Sequence, residues 1–435
     1  MAFFLPNNMK DLYQVYKRSK AVSIDTRTIK GGELFFCLKG DHFNGNKFAL
    51  QALEKGASFV VVDDEPFYSK DDKRMIFVKD SLKSLQSLAK YHREQLKIPL
   101  IGITGTNGKT TTKELVSVVL GAQLNCLFTQ GNYNNHIGVP LTLLRITENH
   151  EVAVVEMGAN HPHEIVDLCQ LAQPNFGLIT NIGRAHLEGF GSFENIIETK
   201  TALYRSVEKN SGLLFVNADD DLLMNKSLGA KRIEYSSAKN SDVQLKVEPS
   251  DTYLKFRWDG HIVQTQLFGE YNLYNAAAAI SIGKYFNIPK TQIIQSLERY
   301  QPSNNRSQIE RGKNNTLILD AYNANPDSMK QALRNFSFLR APKKAMVLGD
   351  MLELGSYEKA EHESILQLSE SLNIELVFFI GPAFYFHQSS YPQFVFFKDN
   401  LEAKEYFKIN HLIDYRILLK GSRGIKLEIL KEDLL

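Results

Sequence analysis

No run of about eighteen apolar residues occurs anywhere in the 435-residue chain, which excludes an α-helical membrane span. The N-terminal MAFFLPNNMKDLYQ lacks a basic n-region, a long apolar stretch and a cleavage site, so a secretory leader is not expected. Cysteine is scarce. Cys37, Cys126 and Cys169 are odd in number, far apart and without metal-ligand spacing, and they read as core thiols of a reducing compartment. An excess of either charge is also missing: 51 Lys and Arg against 49 Asp and Glu leave +2, with no basic surplus for nucleic acid. The expectation is a cytoplasmic protein with no nucleic-acid partner and no membrane span.

What is present is an ordinary globular composition, 43% hydrophobic and 23% charged, on a chain long enough for two or three domains. From Val22 to Val78 short strands and turns precede a helix over Ser81 to Gln95, a small α/β domain. From Pro99 uniformly apolar strands (LIGIT, VAVVEM, FGLITNI, GLLFVN) alternate with helices, as in a doubly wound parallel sheet covered on both faces. Residues of about 230 to 270 alternate polar and apolar and predict antiparallel strands at the sheet edge. After a helix at Asn275 to Phe286, the polar QPSNNRSQ reads as a linker. Strand and helix then alternate again (LILDA, KAMVLGD, LVFFIG, FVFF, RILLKG), predicting a third α/β domain. The expected division is 1–98, 99–303 and 304–435.

The richest stretch is IGITGTNGKTTTK, where an apolar strand enters a glycine turn, a lysine and three threonines that open a helix. Gly105 and Gly108 allow backbone N–H groups to approach phosphate, Lys109 offers a cation, and Thr110 a hydroxyl for Mg²⁺. The spacing departs from the common P-loop. Ile103 stands where the first glycine would be.

In open α/β sheets ligands sit at the carboxyl ends of strands, so Glu156, His186 with Glu188, and Asp320 are the polar residues to examine. A carboxylate and an imidazole beside a P-loop can complete a Mg²⁺ site; singly, Glu156 could cap a helix and His186 could be structural. By position alone Lys200 is a solvated helix lysine. Asn275 is either an N-cap or an amide for an adenine edge, and Arg306 in the linker is either exposed or a phosphate ligand.

These residues, with VSIDTRTIKGGELFFCLKG, GITGTNGKTTTKE, TQGNYNNHIGVPLTLL, VVEMGAN, TNIGRAHLEGFGSFENIIETK, DAYNANPDSM, LGDMLELG and LLKGSRG, resemble the Mur ligases of peptidoglycan synthesis over nearly the whole chain. The short P-loop is that family's form. The resemblance implies a small N-terminal α/β domain, a central P-loop domain and a Rossmann-like C-terminal domain. It further implies ATP-dependent amide ligation through an acyl phosphate, in a monomer. DAYNANP, MLELG and KGSRG favour addition of D-alanyl-D-alanine to UDP-N-acetylmuramoyl-tripeptide over addition of the third residue, whose DYAHTP and DNPR segments do not occur here.

By the same resemblance Gly105, Thr106, Asn107, Gly108, Lys109, Thr110 and Thr111 cradle the phosphates of ATP, and Thr110, Glu156 and His186 take Mg²⁺ positions. Lys200 matches a carbamylated lysine, N6-carboxylysine, that holds a second Mg²⁺. Asn275 matches an adenine contact, Arg306 a phosphate contact and Asp320 a ribose contact. Ser23, Asp25, Thr26 and Arg27 match the segment that binds the UDP-sugar, while Asn323, Asn325, Lys420, Ser422 and Arg423 line the cleft for the dipeptide. Where relatives show Gly-Arg, this chain has Asn305-Arg306. The competing readings are a ligase of the same fold acting on another amino acid or on folate, and a nucleotide-binding relic without turnover. A folate enzyme has no use for VSIDTR, and a relic should have lost one of Lys109, Thr110, Glu156, His186 and Lys200.

Overall fold

A computed structural model describes residues 8–303 and 305–435; the MAFFLPN start and Asn304 lie outside the described residues. The fold is α/β throughout, in three domains, each built on one main sheet. The N-terminal sheet is parallel, in the order Val22–Ser23, Leu34–Phe36, Phe59–Val62, Met75–Phe77. Helix Ser81–Gln95, capped by Asp80 through the Lys83 N–H, packs its apolar face on the neighbouring domain.

The central sheet has nine strands. Within it the strand Leu100–Thr104 lies between Val152–Glu156 on one side and Phe176–Ile179 on the other, both parallel to it. The chain leaves that strand in one direction and returns in the other, so a crevice opens at its carboxyl end. All five residues of Leu100–Thr104 are buried, as a strand covered on both faces must be. Toward one edge the sheet continues through Leu213–Asn217 and Arg232–Ser236, which stay parallel. Val243–Val247, Tyr253–Trp258 and His261–Phe268 then complete the edge as an antiparallel meander. Within the alternating segment Arg232–Ser236 and Val243–Val247 pair parallel, and the expected antiparallel pairing begins with Tyr253–Trp258.

The C-terminal sheet has six strands, parallel except for Gln308–Arg311, which runs antiparallel to Thr316–Asp320. Only Gln308, the last residue of the polar run taken for a linker, lies in that edge strand. The strand pairs because Thr316–Asp320 otherwise has no neighbour on that side.

One apolar cluster runs without interruption from Leu12, Leu85 and Leu88 into Val139, Val155 and Ile165, so the first two domains share a core. The third has its own clusters on both faces of its sheet, to which Phe268 of the central domain contributes. Cys37, Cys126 and Cys169 are free thiols, and burial pushes each up to about 12. No helix among the described residues is long and apolar enough to cross a membrane.

Candidate active site

A cleft of about 440 Å³ opens at the carboxyl end of Leu100–Thr104, between the central and C-terminal domains. Its floor is the glycine turn. Gly105 has φ +145° and a Cβ there would stand 1.9 Å from Thr180 Oγ1; Gly108 has φ +79° and a Cβ would meet Asn275 Oδ1 at 2.6 Å. Both positions require glycine for conformation and for space. The turn is pinned from behind: the Thr106 N–H donates to Asn181 O (2.9 Å), the Asn107 N–H to Asn181 Oδ1 (3.0 Å), and Thr180 Oγ1 to Asn107 O (2.6 Å). The helix Lys109–Leu120 then starts without a side-chain cap, leaving its first N–H groups facing the cleft.

Lys109 curls back to donate to Gly105 O and Thr106 O, both at 2.9 Å. Crowding by protein pushes its ammonium down to about 8, against the upward pull of Glu156 and with a smaller downward push from Arg306. Lys200 is 2% exposed and donates to Gly105 O at 3.0 Å. Burial first, then the neighbouring Lys109 charge, hold it well below the usual lysine range. The solvated-lysine reading is overturned, because the helix Phe193–Lys209 packs that face on the sheet.

Glu156 ends the strand beside the turn, in register with Ile103, and is 1% exposed. Its Oε1 accepts from Thr110 Oγ1 (3.1 Å) and Asn134 Nδ2 (2.8 Å), while Oε2 has no hydrogen-bond partner and lies 3.7 Å from Lys113 Nζ. It caps no helix. An orphaned carboxylate oxygen with a threonine hydroxyl at its side suits a hard divalent cation. His186 faces the same cleft but in a left-handed conformation, φ +52°, with Nδ1 hydrogen-bonded to Glu353 of the C-terminal domain. Among the described residues no group of three or more His, Cys, Asp and Glu is gathered for a metal.

Asn275 does not open its helix. Leu273–Tyr285 is capped at Asn272, and the Asn275 amide accepts from Thr112 Oγ1 (2.9 Å) and donates to Asn272 Oδ1 (2.8 Å) beside Gly108. Arg306 lies over the ring of Tyr322, 3.5 Å from its centre, with Nε buried and unpartnered. The residue before it explains the departure from Gly-Arg: Asn305 has φ +56°, a conformation glycine favours and asparagine tolerates. Asp320 is bound to the buried Lys420 (2.7 Å), which also lines the cleft with Asn323. Ser422 is spent on structure, accepting from Leu352 N–H at 3.0 Å, and Arg423 is exposed with its guanidinium 5.4 Å from the Tyr322 ring. Ser23, Asp25, Thr26 and Arg27 do not line the cleft. Ser23 is buried against Thr28, and Arg27 grips Asp25 in a two-pronged exposed pair, at 3.0 and 2.6 Å.

Four residues not singled out in the sequence belong here. Asn134 comes from TQGNYNNH and Glu353 from LGDMLELG, motifs whose match could have flagged them. Lys113 lies one helical turn after Lys109, a spacing that shares a face. Asp327 accepts from the Arg184 N–H at 2.8 Å across the domain junction, and only the fold brings it there.

The chain belongs to the Mur ligase family: the Mur ligase catalytic-domain, middle-domain and glutamate-ligase-domain models match residues 18–93, 103–283 and 305–423. It is 36% identical, over 95% of its length and 93% of the relative's, to UDP-N-acetylmuramoyl-tripeptide–D-alanyl-D-alanine ligase of Bacillus subtilis. A crystal structure of MurF from Acinetobacter baumannii superimposes with a TM-score of 0.87 at 28% identity, covering 98% of both chains. MurF ligase from Thermotoga maritima in complex with ADP gives a TM-score of 0.82 at 25% identity, covering 96% of this chain and 97% of that one.

Proposed function

We propose that this chain joins D-alanyl-D-alanine to UDP-N-acetylmuramoyl-tripeptide, converting ATP to ADP and phosphate. The observation that carries this reading is the cleft itself, where Lys109, Glu156 and His186 of one domain face Asn323 and Lys420 of the next. ATP is the expected nucleotide, as the ADP complex of the Thermotoga relative suggests. We assign the UDP-sugar-peptide to residues 1–98, with Ser23, Asp25, Thr26 and Arg27 at the UDP end. ATP is assigned to 99–303 and the dipeptide to 304–435.

A carboxylate is a poor electrophile, so one of its oxygens first attacks the γ-phosphorus of ATP and the bond to the ADP oxygen breaks. Lys109, the backbone N–H groups of Gly108 to Thr111 and Arg306 hold the phosphates, Asn275 reads adenine with the amide N–H that its bonds to Thr112 and Asn272 leave over, and Asp320 the ribose. The dipeptide amine then attacks the acyl carbon; phosphate leaves and the amine gives up its proton. Asn323, Lys420 and Arg423 orient the dipeptide.

Thr110, Glu156 and His186 would hold Mg²⁺, and the chemistry it supplies when bound is neutralisation of charge on the transferred phosphoryl group. The orphaned Glu156 Oε2 supports that fit. Lys200, whose burial favours the uncharged amine, can add carbon dioxide: its nitrogen bonds to carbon, a proton leaves, and N6-carboxylysine results, an anion for a second Mg²⁺. One chain builds the whole cleft, which supports a monomer, and dependence on ATP supports the cytoplasm.

Phosphate release measured with ATP, UDP-muramoyl-tripeptide and D-alanyl-D-alanine tests the reading. Release that needs both co-substrates is expected. Release with a free amino acid instead would mark a different ligase, and no release with any would mark a relic.

A further inference from the structure

The C-terminal domain meets the phosphate-binding loops through polar contacts from three of its residues. Asn325 Nδ2 donates to Asn107 Oδ1 at 2.7 Å, Asp327 accepts from the Arg184 N–H, and Glu353 binds His186 Nδ1. The last is the informative one. A carboxylate oxygen can only accept, so the proton of a neutral His186 lies on Nδ1 and the Nε2 lone pair is left bare. Nε2 has no hydrogen-bond partner among the described residues, and His186 lines the cleft that holds Glu156 and Thr110.

Both partners hold left-handed backbone, φ +52° at His186 and +63° at Glu353, though neither is glycine. Such conformations persist where surrounding structure enforces them, and they gather at functional sites. Glycine at Gly355, φ +54°, lets the Glu353 loop come close enough that a Cβ would meet Glu188 at 3.3 Å, two residues after His186. Asp350, 2% exposed, anchors the same loop by accepting from the Ala383 and Phe384 N–H groups, both at 2.9 Å. The loop is therefore built to deliver one carboxylate to one imidazole.

We propose that Glu353 is a positioning residue for the cation site: reaching across the domain junction, it fixes the His186 tautomer and ring so that Nε2 is presented to the metal. The cation site is then complete only with the C-terminal domain docked. This rests on His186 being a metal ligand. Carboxylates that hold the far nitrogen of a ligating histidine commonly change metal affinity by about 10- to 100-fold.

The test is Mn²⁺ binding to the full chain in the presence of ADP, followed by electron paramagnetic resonance, together with the ¹⁵N shifts of the His186 ring. Glu353→Ala should weaken Mn²⁺ by about tenfold or more and shift the ring from the Nδ1–H form toward a mixture. Glu353→Gln, whose carbonyl still accepts from Nδ1–H, should recover most of both. Unchanged Mn²⁺ affinity and ring shifts in Glu353→Ala, with His186→Ala weakened, would overturn the proposal and leave the metal reading standing. Unchanged affinity in His186→Ala would overturn both.

Discussion

At the scale of single residues, the cleft sets two lysines side by side and controls their charge by burial. Lys109→Ala should abolish ligation while leaving the circular dichroism spectrum unchanged, since its bonds to Gly105 O and Thr106 O tie it only to its own turn. Its depressed value gives a signed pH dependence. Below about 8 the ammonium of the nucleotide-free enzyme is charged and attracts phosphate; above it the charge is lost. The logarithm of kcat/KM for ATP should therefore fall as pH rises through about 8, and a profile flat to pH 9 would remove Lys109 from that role. Lys200→Ala should be inactive and partly rescued by acetate, whose carboxylate can stand in for the one formed on the lysine. Its importance was invisible in ENIIETKTALYRS, because whether a helix lysine is wet depends on what packs against it.

At the scale of elements, the glycine turn and the helix Pro326–Phe338 decide how the phosphates are approached. Gly105→Ala adds a carbon at 1.9 Å from Thr180 Oγ1 in a conformation that disfavours any side chain. A loss of about 1–3 kcal/mol in urea unfolding is expected for the backbone strain alone, with nucleotide affinity, measured by calorimetry, falling further. Asn325 serves two purposes: its Oδ1 caps the helix by accepting from the Ser328 N–H at 2.9 Å, and its amide donates to Asn107. Asn325→Ala should cost about 1 kcal/mol of stability. Asn325→Ser should restore that stability, serine being as good a cap, yet stay slow in turnover because it is too short to reach Asn107. Equal turnover in Asn325→Ser and wild type would return Asn325 to a plain capping role. Helix positions of this kind were legible: Ser81–Gln95 spans the residues expected of it, with Asp80 as its cap. The strand Gln308–Arg311 was not, since it is short and largely polar and pairs only because an open sheet edge awaits it.

At the scale of the whole molecule, the two junctions differ in kind. The first domain shares an extended apolar core with the second and should move with it, whereas the third meets the second through Phe268 and, across the cleft, through polar contacts to the phosphate loops. Apolar area holds regardless of geometry; a few directional bonds hold only while aligned and open at little cost. Gly183 is where that closure can be blocked, because a Cβ there would meet Asp327 Oδ2 at 2.5 Å. Gly183→Val should raise the radius of gyration in small-angle scattering with ADP bound. It should lower kcat by about 100-fold, the scale of an ångström-sized misplacement at the reacting atoms. ADP affinity should stay near wild type.

By itself the sequence determined the fold class, the three α/β units and the phosphate turn, because apolar periodicity, caps and glycines are local properties. The tertiary structure alone decided which polar groups are free. It spent Ser422 on a neighbouring N–H, tied the Asn275 amide to Thr112 and Asn272, left Glu156 Oε2 beside Lys113 and His186 Nε2 each without a hydrogen bond, and buried Lys200. Desolvation and hydrogen-bond satisfaction are set by neighbours that lie far away along the chain. Glu353 meets His186 across 167 positions of chain, a distance over which no motif spacing carries information.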